Sequence, residues 1–165
     1  MSRVAALTDL QGRFLDEHGD PSFFHMNEFQ CRCGRCNTWQ VDQQLIWALE
    51  KLRLLGGFPL KIISGVRCRE HNRNVGGATE SQHLPDAAGI GGAADVQFYQ
   101  AGLGRPARTA VETYLLSLRI PSIGGRGLAS SYLHLDMRPS PAEWLYNGSG
   151  KRPSQLIQDL VGPAL

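Results

Sequence analysis

The sequence predicts an α+β fold, for three reasons. Its 165 residues are 42% hydrophobic and 19% charged, an ordinary composition for a chain that buries a core. Patterns typical of helices and of strands both occur, and the strand-like runs are few. The two patterns do not alternate regularly, as they would in a doubly wound parallel sheet. We therefore expect a single domain over residues 1–165, with three or four helices and a small sheet.

The first helix is predicted near the N-terminus, where apolar residues recur at helical spacing before a Gly-Asp-Pro stop at residues 19–21. The apolar positions are Val4, Leu7, Leu10, Phe14 and Leu15. The next segment, Phe23–Asn37, is aromatic, polar and rich in cysteine. We expect it to be irregular and to pack its aromatic side chains, Phe23, Phe24 and Phe29, into the core.

A second helix is predicted from Val41 to Leu55, because apolar residues again follow helical spacing. Asp42 near its start suits the helix dipole, and Gly56-Gly57 would end it. A short strand, Leu60–Ile63, then leads into the sequence Ser-Gly-Val-Arg at residues 64–67. The helix is expected to be scaffold, and the strand to deliver these residues to a site.

The remaining elements are predicted from shorter patterns. In order they are a turn or short helix at Glu70–Val75, a loop at Ser81–His83, a strand at Val96–Phe98, a helix at Ala107–Leu118, a flexible glycine-rich segment at Pro121–Gly127, a strand at Tyr132–Met137 and a terminal helix at Gln155–Val161. The helix at Ala107–Leu118 should bury Val111, Tyr114, Leu115 and Leu118. The terminal helix should pack through Leu156, Ile157, Leu160 and Val161.

Three side chains, His83, Asp95 and His134, point to a zinc site. Imidazole nitrogen and carboxylate oxygen bind zinc in tetrahedral geometry, and a hydrolytic site keeps three protein ligands and an open fourth position. On the strand at Tyr132–Met137, Tyr132, His134 and Asp136 share one face. That face would present the chemistry, while the opposite, apolar face anchors the strand in the core. We expect one zinc ion per chain.

Four cysteines are unevenly placed: Cys31, Cys33 and Cys36 form a cluster, and Cys68 stands alone. Four thiolates could hold a second, structural zinc, although this is not a standard finger spacing. The interpretation we favour from sequence is free thiols in a turn, or one labile disulfide.

Six short motifs follow one another in an order that resembles the zinc D-Ala-D-Ala carboxypeptidase family. They are SGVR, EHN, VGG, SQH, AAD and YLHLD, within residues 27–144. Members of that family are peptidoglycan peptidases: D,D-carboxypeptidases, D,D-dipeptidases and phage or bacterial L-Ala-D-Glu endopeptidases. The resemblance implies a hedgehog-type (DD-peptidase) fold, in which a small antiparallel sheet flanked by helices carries the zinc site.

The spacing between two of the ligands departs from the family pattern. Eleven residues separate His83 from Asp95, more than is usual in the family. The additional residues are mostly small and suit a loop. Asp95 keeps the ending that resembles the family motif and is our expected ligand, with Asp86 as the rival carboxylate.

Substrate binding is expected to involve Arg67, Ser81 and Gln82. Arg67 stands where the resemblance implies an arginine that faces substrate, and a guanidinium can grip a carboxylate of a stem peptide through two hydrogen bonds. Ser81 and Gln82 flank a ligand and could donate or accept hydrogen bonds beside the metal.

The general base is harder to assign. Several relatives carry an acidic residue three positions before the last histidine ligand, and here that position is Ser131. Asp136, on the same strand face as His134, is our first candidate and Glu143 the second; Asp136 could instead orient a ligand. Tyr132 could donate a hydrogen bond to a developing oxyanion.

These expectations combine into a zinc peptidase in which zinc lowers the pKa of a bound water and a carboxylate takes its proton. The substrate would be a peptidoglycan stem peptide, cut at a D-Ala-D-Ala, L-Ala-D-Glu or cross-link bond. The alternative is a catalytically silent, zinc-stabilised module that binds cell wall or builds a phage tail. Arrival at the wall would depend on a holin, a virion or a secretion system, since the first residues contain no signal-peptide core.

Composition excludes other classes of function. The net charge of +2 is too small to argue for a nucleic-acid partner. No apolar run is long enough for a membrane span. We expect a monomer.

Overall fold

The computed structural model describes residues 2–162, which form five helices and seven strands in two sheets. In chain order these are β1 (Arg13–Leu15), β2 (Pro21–His25), α1 (Met26–Phe29), α2 (Gln43–Gly56), β3 (Leu60–Ser64), α3 (Arg69–Asn74), β4 (Ala93–Phe98), α4 (Ala110–Ser117), β5 (Gly125–Leu128), β6 (Leu133–Asp136), β7 (Ala142–Leu145) and α5 (Pro153–Val161). The predicted α+β class is confirmed. No helix within the described residues is long and apolar enough to cross a membrane.

The larger sheet has the strand order β3-β4-β6-β5-β7, and β1 and β2 form a separate antiparallel pair. Neighbouring strands of the larger sheet are antiparallel except β5 and β7, which are parallel. The sheet is therefore mixed, whereas an antiparallel one was predicted. The reason is that the chain reverses direction after β6 and adds β7 beyond β5, where it runs the same way as β5.

Helix α2 is the main scaffold beside the sheet, as predicted. Its inward face buries Leu45, Leu49 and Leu52 completely, in one cluster with residues from β3, β4 and β6. Asp42 caps the helix, because its side chain accepts a hydrogen bond from the Gln44 N–H at 3.1 Å. Gly57 ends it in a left-handed conformation with φ of 73°, which glycine adopts without strain.

The predicted N-terminal helix is wrong, since β1 and β2 form a hairpin there. Two aspartates explain the difference. The side chain of Asp9 accepts hydrogen bonds from the N–H groups of Gln11 and Arg13, and Asp16 does the same for His18 and Asp20. Such side-chain turns compete with helical hydrogen bonding, and here they outweigh the apolar periodicity.

The aromatic segment that follows is more regular than expected, because it forms β2 and α1. Phe24 and Phe29 are buried with ring centroids 6.2 Å apart, as predicted. Phe23 is not buried; it lies on the surface under the guanidinium of Arg53, 4.0 Å from the ring centre. Alternation along β2 places Phe23 and Phe24 on opposite faces.

Helix α4 is shorter than predicted and turned differently. Tyr114 is buried and Val111 packs against the core, but Leu115 and Leu118 are nearly half exposed. The buried face instead carries smaller and polar side chains: Ala110, Thr113, Tyr114 and Ser117. Ser117 is buried because its oxygens accept hydrogen bonds from Arg126 on β5. This buried arginine sets the rotation of the helix. The spacing of apolar residues in the sequence gives no indication of it.

Two further predictions concern the C-terminal part of the chain. The glycine-rich segment predicted to be flexible contains β5, whose four residues are all buried. The terminal helix is present as α5, and Leu156 and Ile157 pack against the core as expected. Val161 is exposed, contrary to prediction, and the side chain of Leu160 lies outside the described part of the chain.

Candidate metal centre

The sheet aligns a row of residues across its five strands, and two of the predicted ligands stand in that row. Hydrogen-bonded register pairs each member with the next: Ser64 on β3, Asp95 on β4, His134 on β6, Gly127 on β5 and Trp144 on β7. Gly127 leaves room for the indole, since a Cβ there would come within 2.5 Å of the Trp144 ring. The sheet thus places Asp95 and His134 side by side, with the Trp144 ring 5.2 Å from the His134 ring.

His83 reaches the same place from a loop that is pinned to the end of β3. The His83 carbonyl accepts a hydrogen bond from the Arg67 N–H at 2.9 Å, and the His83 ring Nδ1 lies 2.6 Å from the Gly65 carbonyl oxygen. A carbonyl oxygen can only accept, so Nδ1 carries the proton. The other ring nitrogen, Nε2, is therefore a free electron-pair donor.

Three ligand atoms converge at the centre of the site. His83 Nε2 lies 3.1 Å from Asp95 Oδ1 and 3.1 Å from His134 Nδ1, and His134 Nδ1 lies 2.9 Å from Asp95 Oδ1. In tetrahedral zinc sites with His and Asp ligands, bonds of about 2.0–2.1 Å set the ligand atoms about 3.3 Å apart. The observed separations are close to that value.

The protonation pattern of the two rings fits a metal. His134 Nε2 lies 3.0 Å from Asp136 Oδ2 and donates to it, so in the neutral ring Nδ1 carries an electron pair. Two ring nitrogens and a carboxylate oxygen then face one another within about 3 Å, and all three offer electron pairs. A metal cation, or a proton on His134 Nδ1, would relieve the repulsion between these electron pairs. His83, Asp95 and His134 therefore suit zinc in number, type and orientation.

Burial and charge favour the ligand forms of two of these groups. Burial lowers the pKa of His83, which keeps its ring neutral. Burial alone would raise the pKa of Asp95, but its contacts with His134 and His83 outweigh burial and hold that pKa below the usual range. Burial would likewise lower the pKa of His134, and its contacts with Asp136 and Asp95 reverse that and raise it. A proton and a metal thus compete for His134 Nδ1.

Two arginines and one carboxylate hold the ligands in place. Arg67 donates from Nη2 to Asp95 Oδ2 at 2.9 Å and from Nε to Ser64 Oγ at 3.0 Å. Arg138 donates to both oxygens of Asp136 at 2.6–3.0 Å. Asp136 in turn receives the Nε2 proton of His134. These contacts fix the orientation of Asp95 and His134, as outer hydrogen bonds do in metal sites.

The long loop between His83 and Asp95 is braced from the N-terminus. Arg3 donates from Nη1 to the Ile90 carbonyl at 2.6 Å and from Nη2 to Gln82 Oε1 at 2.6 Å. Asp86, the rival ligand, accepts hydrogen bonds from the N–H groups of Ala88 and Ile90 and so shapes a turn within the loop. Asp86 is outside the ligand group, which contains Asp95.

A cleft opens over the three ligands. Its walls include Arg67, Ser81, Gln82 and Tyr132, which the sequence analysis assigned to the site, together with Glu80, Arg138, Trp144 and Tyr146. The last four were not predicted from the sequence. Glu80 and Arg138 each lie a few residues from a predicted ligand, a proximity that could have singled them out. Trp144 and Tyr146 gave no such signal, because β7, which carries Trp144 and ends just before Tyr146, was itself missed.

Neither carboxylate predicted as general base lines the cleft. Asp136 is fully buried at the Nε2 edge of His134, the edge opposite the ligand nitrogen, and is occupied by Arg138. Glu143 accepts a hydrogen bond from the Tyr114 hydroxyl at 2.9 Å and does not line the cleft. These contacts favour the second role considered for Asp136, that of orienting a ligand. Among the residues that line the cleft, Glu80 is the carboxylate outside the ligand group.

Comparison with protein families decides the relationship. The family model described as Peptidase M15 matches residues 22–136, a span that contains all three ligands. The chain belongs to the peptidase M15 family. A search of curated proteins finds no significant match. Membership of this family, together with the buried group of two histidines and one aspartate, indicates a metallopeptidase of the DD-peptidase fold that acts on a peptide substrate.

Proposed function

We propose that this protein is a zinc peptidase that hydrolyses an amide bond in peptidoglycan stem peptides. The observation that supports it most is the convergence of His83 Nε2, Asp95 Oδ1 and His134 Nδ1 beneath an open cleft with two arginines in its walls. Zinc held by these atoms would supply a Lewis acid that polarises the scissile carbonyl and lowers the pKa of water. The residues around it would do the remaining work.

The two arginines suit a substrate that carries carboxylates. Arg67 uses Nε and Nη2 to hold Ser64 and Asp95, and its Nη1 makes no hydrogen bond within the described residues. The Arg138 guanidinium is about a third exposed and lies over the Trp144 ring, with 4.9 Å between Cζ and the ring centre. Stem peptides offer free carboxylates for such donors. Arg67 thus both orients Asp95 and faces the substrate.

Glu80 is the proton acceptor we propose. It is exposed and lines the cleft that holds the ligands, so it can exchange protons with solvent between turnovers. Its loop also carries Ser81, whose hydroxyl accepts a hydrogen bond from the His83 N–H at 3.3 Å. Closure of this loop over a substrate would bring the Glu80 carboxylate toward the attacking water.

Tyr132 and Tyr146 are the proposed donors to the oxyanion that develops on the scissile carbonyl. Their rings lie 5.9 Å apart at the wall of the cleft. Burial raises the pKa of Tyr132 and raises the pKa of Tyr146 to about 12. Both hydroxyls therefore keep their protons at neutral pH and can donate hydrogen bonds.

Digestion of purified sacculi tests the proposal. The parent protein should release new amino groups, and the masses of the soluble products should identify the bond that is cut. A zinc chelator should abolish release, and so should the double variant His83→Ala/His134→Ala. Asp86→Ala, in the same loop but outside the ligand group, is the matched control and should retain release.

The same experiment separates the peptidase from the alternative, a silent module that binds the wall. Sacculi that bind the protein without releasing amino groups or peptides would contradict the peptidase and favour the silent module. The presence of Glu80 in the cleft favours the peptidase, because Glu80 can replace the acidic residue that several relatives carry at the position of Ser131.

Peptidoglycan lies outside the cytoplasmic membrane, so the proposed substrate implies action at the cell wall. Passage by a holin, in a virion or through a secretion system remains the proposed route. Fractionation of the producing cells, with the protein followed by antibody, would test it.

A further inference from the structure

The four cysteines lie together in the fold, away from the cleft. Cys31, Cys33, Cys36 and Cys68 each offer a sulfur, and all four sulfurs fall within 4.8 Å of one another. Cys33 Sγ and Cys36 Sγ are 3.4 Å apart. In a tetrahedral zinc site with sulfur ligands, bonds of about 2.3 Å set the sulfurs about 3.8 Å apart. The cluster is therefore close to the size that a tetrahedral zinc ion requires.

The backbone is arranged as it is around metal-bound sulfur. Cys33 Sγ accepts hydrogen bonds from the N–H groups of Arg35 and Cys36, both at 3.3 Å. Cys68 Sγ accepts from the His71 N–H at 3.4 Å, and Cys31 Sγ accepts from the Cys68 N–H at 3.3 Å. Three of the four sulfurs thus receive N–H donors, which stabilise negative charge on thiolate ligands.

Arginines adjoin the cysteines along the chain, and the ligand set itself favours zinc. Every cysteine has an arginine as its immediate neighbour in sequence: Arg32 follows Cys31, Arg35 precedes Cys36, and Arg67 and Arg69 flank Cys68. No carboxylate belongs to the ligand group, and four soft sulfur ligands select zinc over harder divalent ions such as calcium or magnesium.

Long-range contacts deliver the distant cysteine to the cluster. Arg32 donates to the Ile62 carbonyl at 3.1 Å, and the Val66 N–H donates to the Phe29 carbonyl at 2.9 Å. The end of β3 is thereby fixed against the segment that follows α1. These contacts compensate for the unusual spacing, because the fourth ligand arrives from another element and not from a second C-x-x-C pair.

We propose that Cys31, Cys33, Cys36 and Cys68 bind a second, structural zinc ion. Four protein ligands close its coordination, so it holds no open position for catalysis. The ion links the segment at residues 31–36 to Cys68, the neighbour of Arg67. Its role is to hold the end of β3, and with it the arginine that orients Asp95. The protein then contains two zinc ions, one more than the sequence predicted.

Elemental analysis of protein purified under reducing conditions without chelator tests the second site. The parent should contain about two zinc ions per chain, and His83→Ala/His134→Ala should keep about one, at the cysteines. Cys33→Ser/Cys36→Ser should have about one fewer than the parent. Asn37→Ala, next to Cys36 but exposed and with no ligand atom, is the matched control and should match the parent.

Cobalt provides a second readout that does not depend on folding of the cysteine variant. Cobalt-loaded His83→Ala/His134→Ala should show the near-ultraviolet sulfur-to-cobalt charge-transfer band of a thiolate site. A histidine variant that binds neither zinc nor cobalt would overturn the proposal. So would an intact mass showing that the cysteines of the isolated protein are paired in disulfides. Neither result would contradict the proposed peptidase activity, because that activity depends on the metal site in the cleft.

Discussion

The imidazole of His134 has a partner at each edge, and this arrangement explains how a single residue is prepared for metal binding. Nε2 donates to Asp136, and Nδ1 faces Asp95 and His83. Asp136 is completely buried, so its negative charge acts almost entirely on its two partners, His134 and Arg138. Contacts with those two residues outweigh burial and hold the pKa of Asp136 below the usual range, so the carboxylate stays ionised.

Asp136→Asn should therefore weaken zinc binding more than it affects proton transfer. An uncharged amide cannot accept the hydrogen bonds of both His134 Nε2 and the Arg138 guanidinium as a carboxylate does. The His134 ring therefore loses its fixed orientation. We expect zinc affinity to fall about 10–100-fold, measured by competition with a chromogenic chelator. Unchanged zinc affinity with a lost acid limb in the pH–rate profile would instead restore Asp136 as the base.

The two carboxylates that follow His83 should behave differently. Asp95→Ala removes a ligand and should abolish both zinc binding at this site and peptide release. Asp86→Ala removes only hydrogen bonds within a turn, so the metal content should match the parent and unfolding free energy should fall by about 1 kcal/mol. Elemental analysis and urea unfolding would measure these effects. Metal loss in Asp86→Ala alone would contradict our assignment.

The base can be tested with a matched pair of glutamates. Glu80→Gln should lower kcat by about 10²–10⁴-fold with zinc content unchanged, because an amide cannot accept a proton. Glu143→Gln should stay within a few-fold of the parent, since Glu143 lies outside the cleft and pairs with Tyr114. Steady-state kinetics on an isolated stem peptide would decide. An active Glu80→Gln would remove Glu80 from the mechanism.

At the scale of elements, α2 stabilises the fold on which the site depends. Its buried leucines pack in the same cluster as Ile62 of β3 and Val96 of β4; β4 carries the ligand Asp95, and β3 is its neighbour in the sheet. β3 also ends at the residues that anchor His83 and Arg67. Loss of packing under α2 would therefore loosen the sheet without any change in the ligands.

Leu49 and Leu54 of α2 provide a direct comparison. Leu49 is completely buried, whereas Leu54 is mostly exposed. Leu49→Ala should lower the free energy of unfolding by about 2–5 kcal/mol, because a cavity replaces buried side-chain atoms. Leu54→Ala should change it by less than about 0.5 kcal/mol. Chemical denaturation measures both; equal losses would mean that the orientation of the helix is wrong.

At the scale of the whole molecule, metal binding and folding are coupled. The cleft ligands come from β4, β6 and a loop anchored on β3, which lie far apart in the sequence. An ion that binds only the folded arrangement must stabilise it, by about 4 kcal/mol at a free concentration a thousand times the dissociation constant.

Removal of the metal should therefore lower the melting temperature. We expect a chelator to reduce it in the parent and added zinc to restore it, as followed by circular dichroism. Magnesium should not restore it, since histidine nitrogens are poor magnesium ligands. The shift should be smaller in His134→Ala, which lacks the cleft site. Equal shifts in both proteins would mean that the cleft does not bind the metal.

Much of the site could be predicted from the sequence, because its signals are local. His83, Asp95 and His134 stand in short motifs with the chemistry of zinc ligands, and α2 and β6 have clear periodicity. The residues around the ligands were harder, since their roles depend on contacts between distant parts of the chain. Arg67 shows the difference: its position facing the cleft was expected, but its hydrogen bond to Asp95 was not.

Residue types and their order along the chain were enough to predict the family, the α+β class and the three candidate ligands. The tertiary structure was needed to show which carboxylate lines the cleft and that Cys68 joins the other three cysteines. Each of these depends on distances between side chains remote in sequence. In the sequence, Asp136 was a possible base and Glu80 was unremarkable. In the structure they differ because Asp136 is buried behind His134, whereas Glu80 lines the cleft.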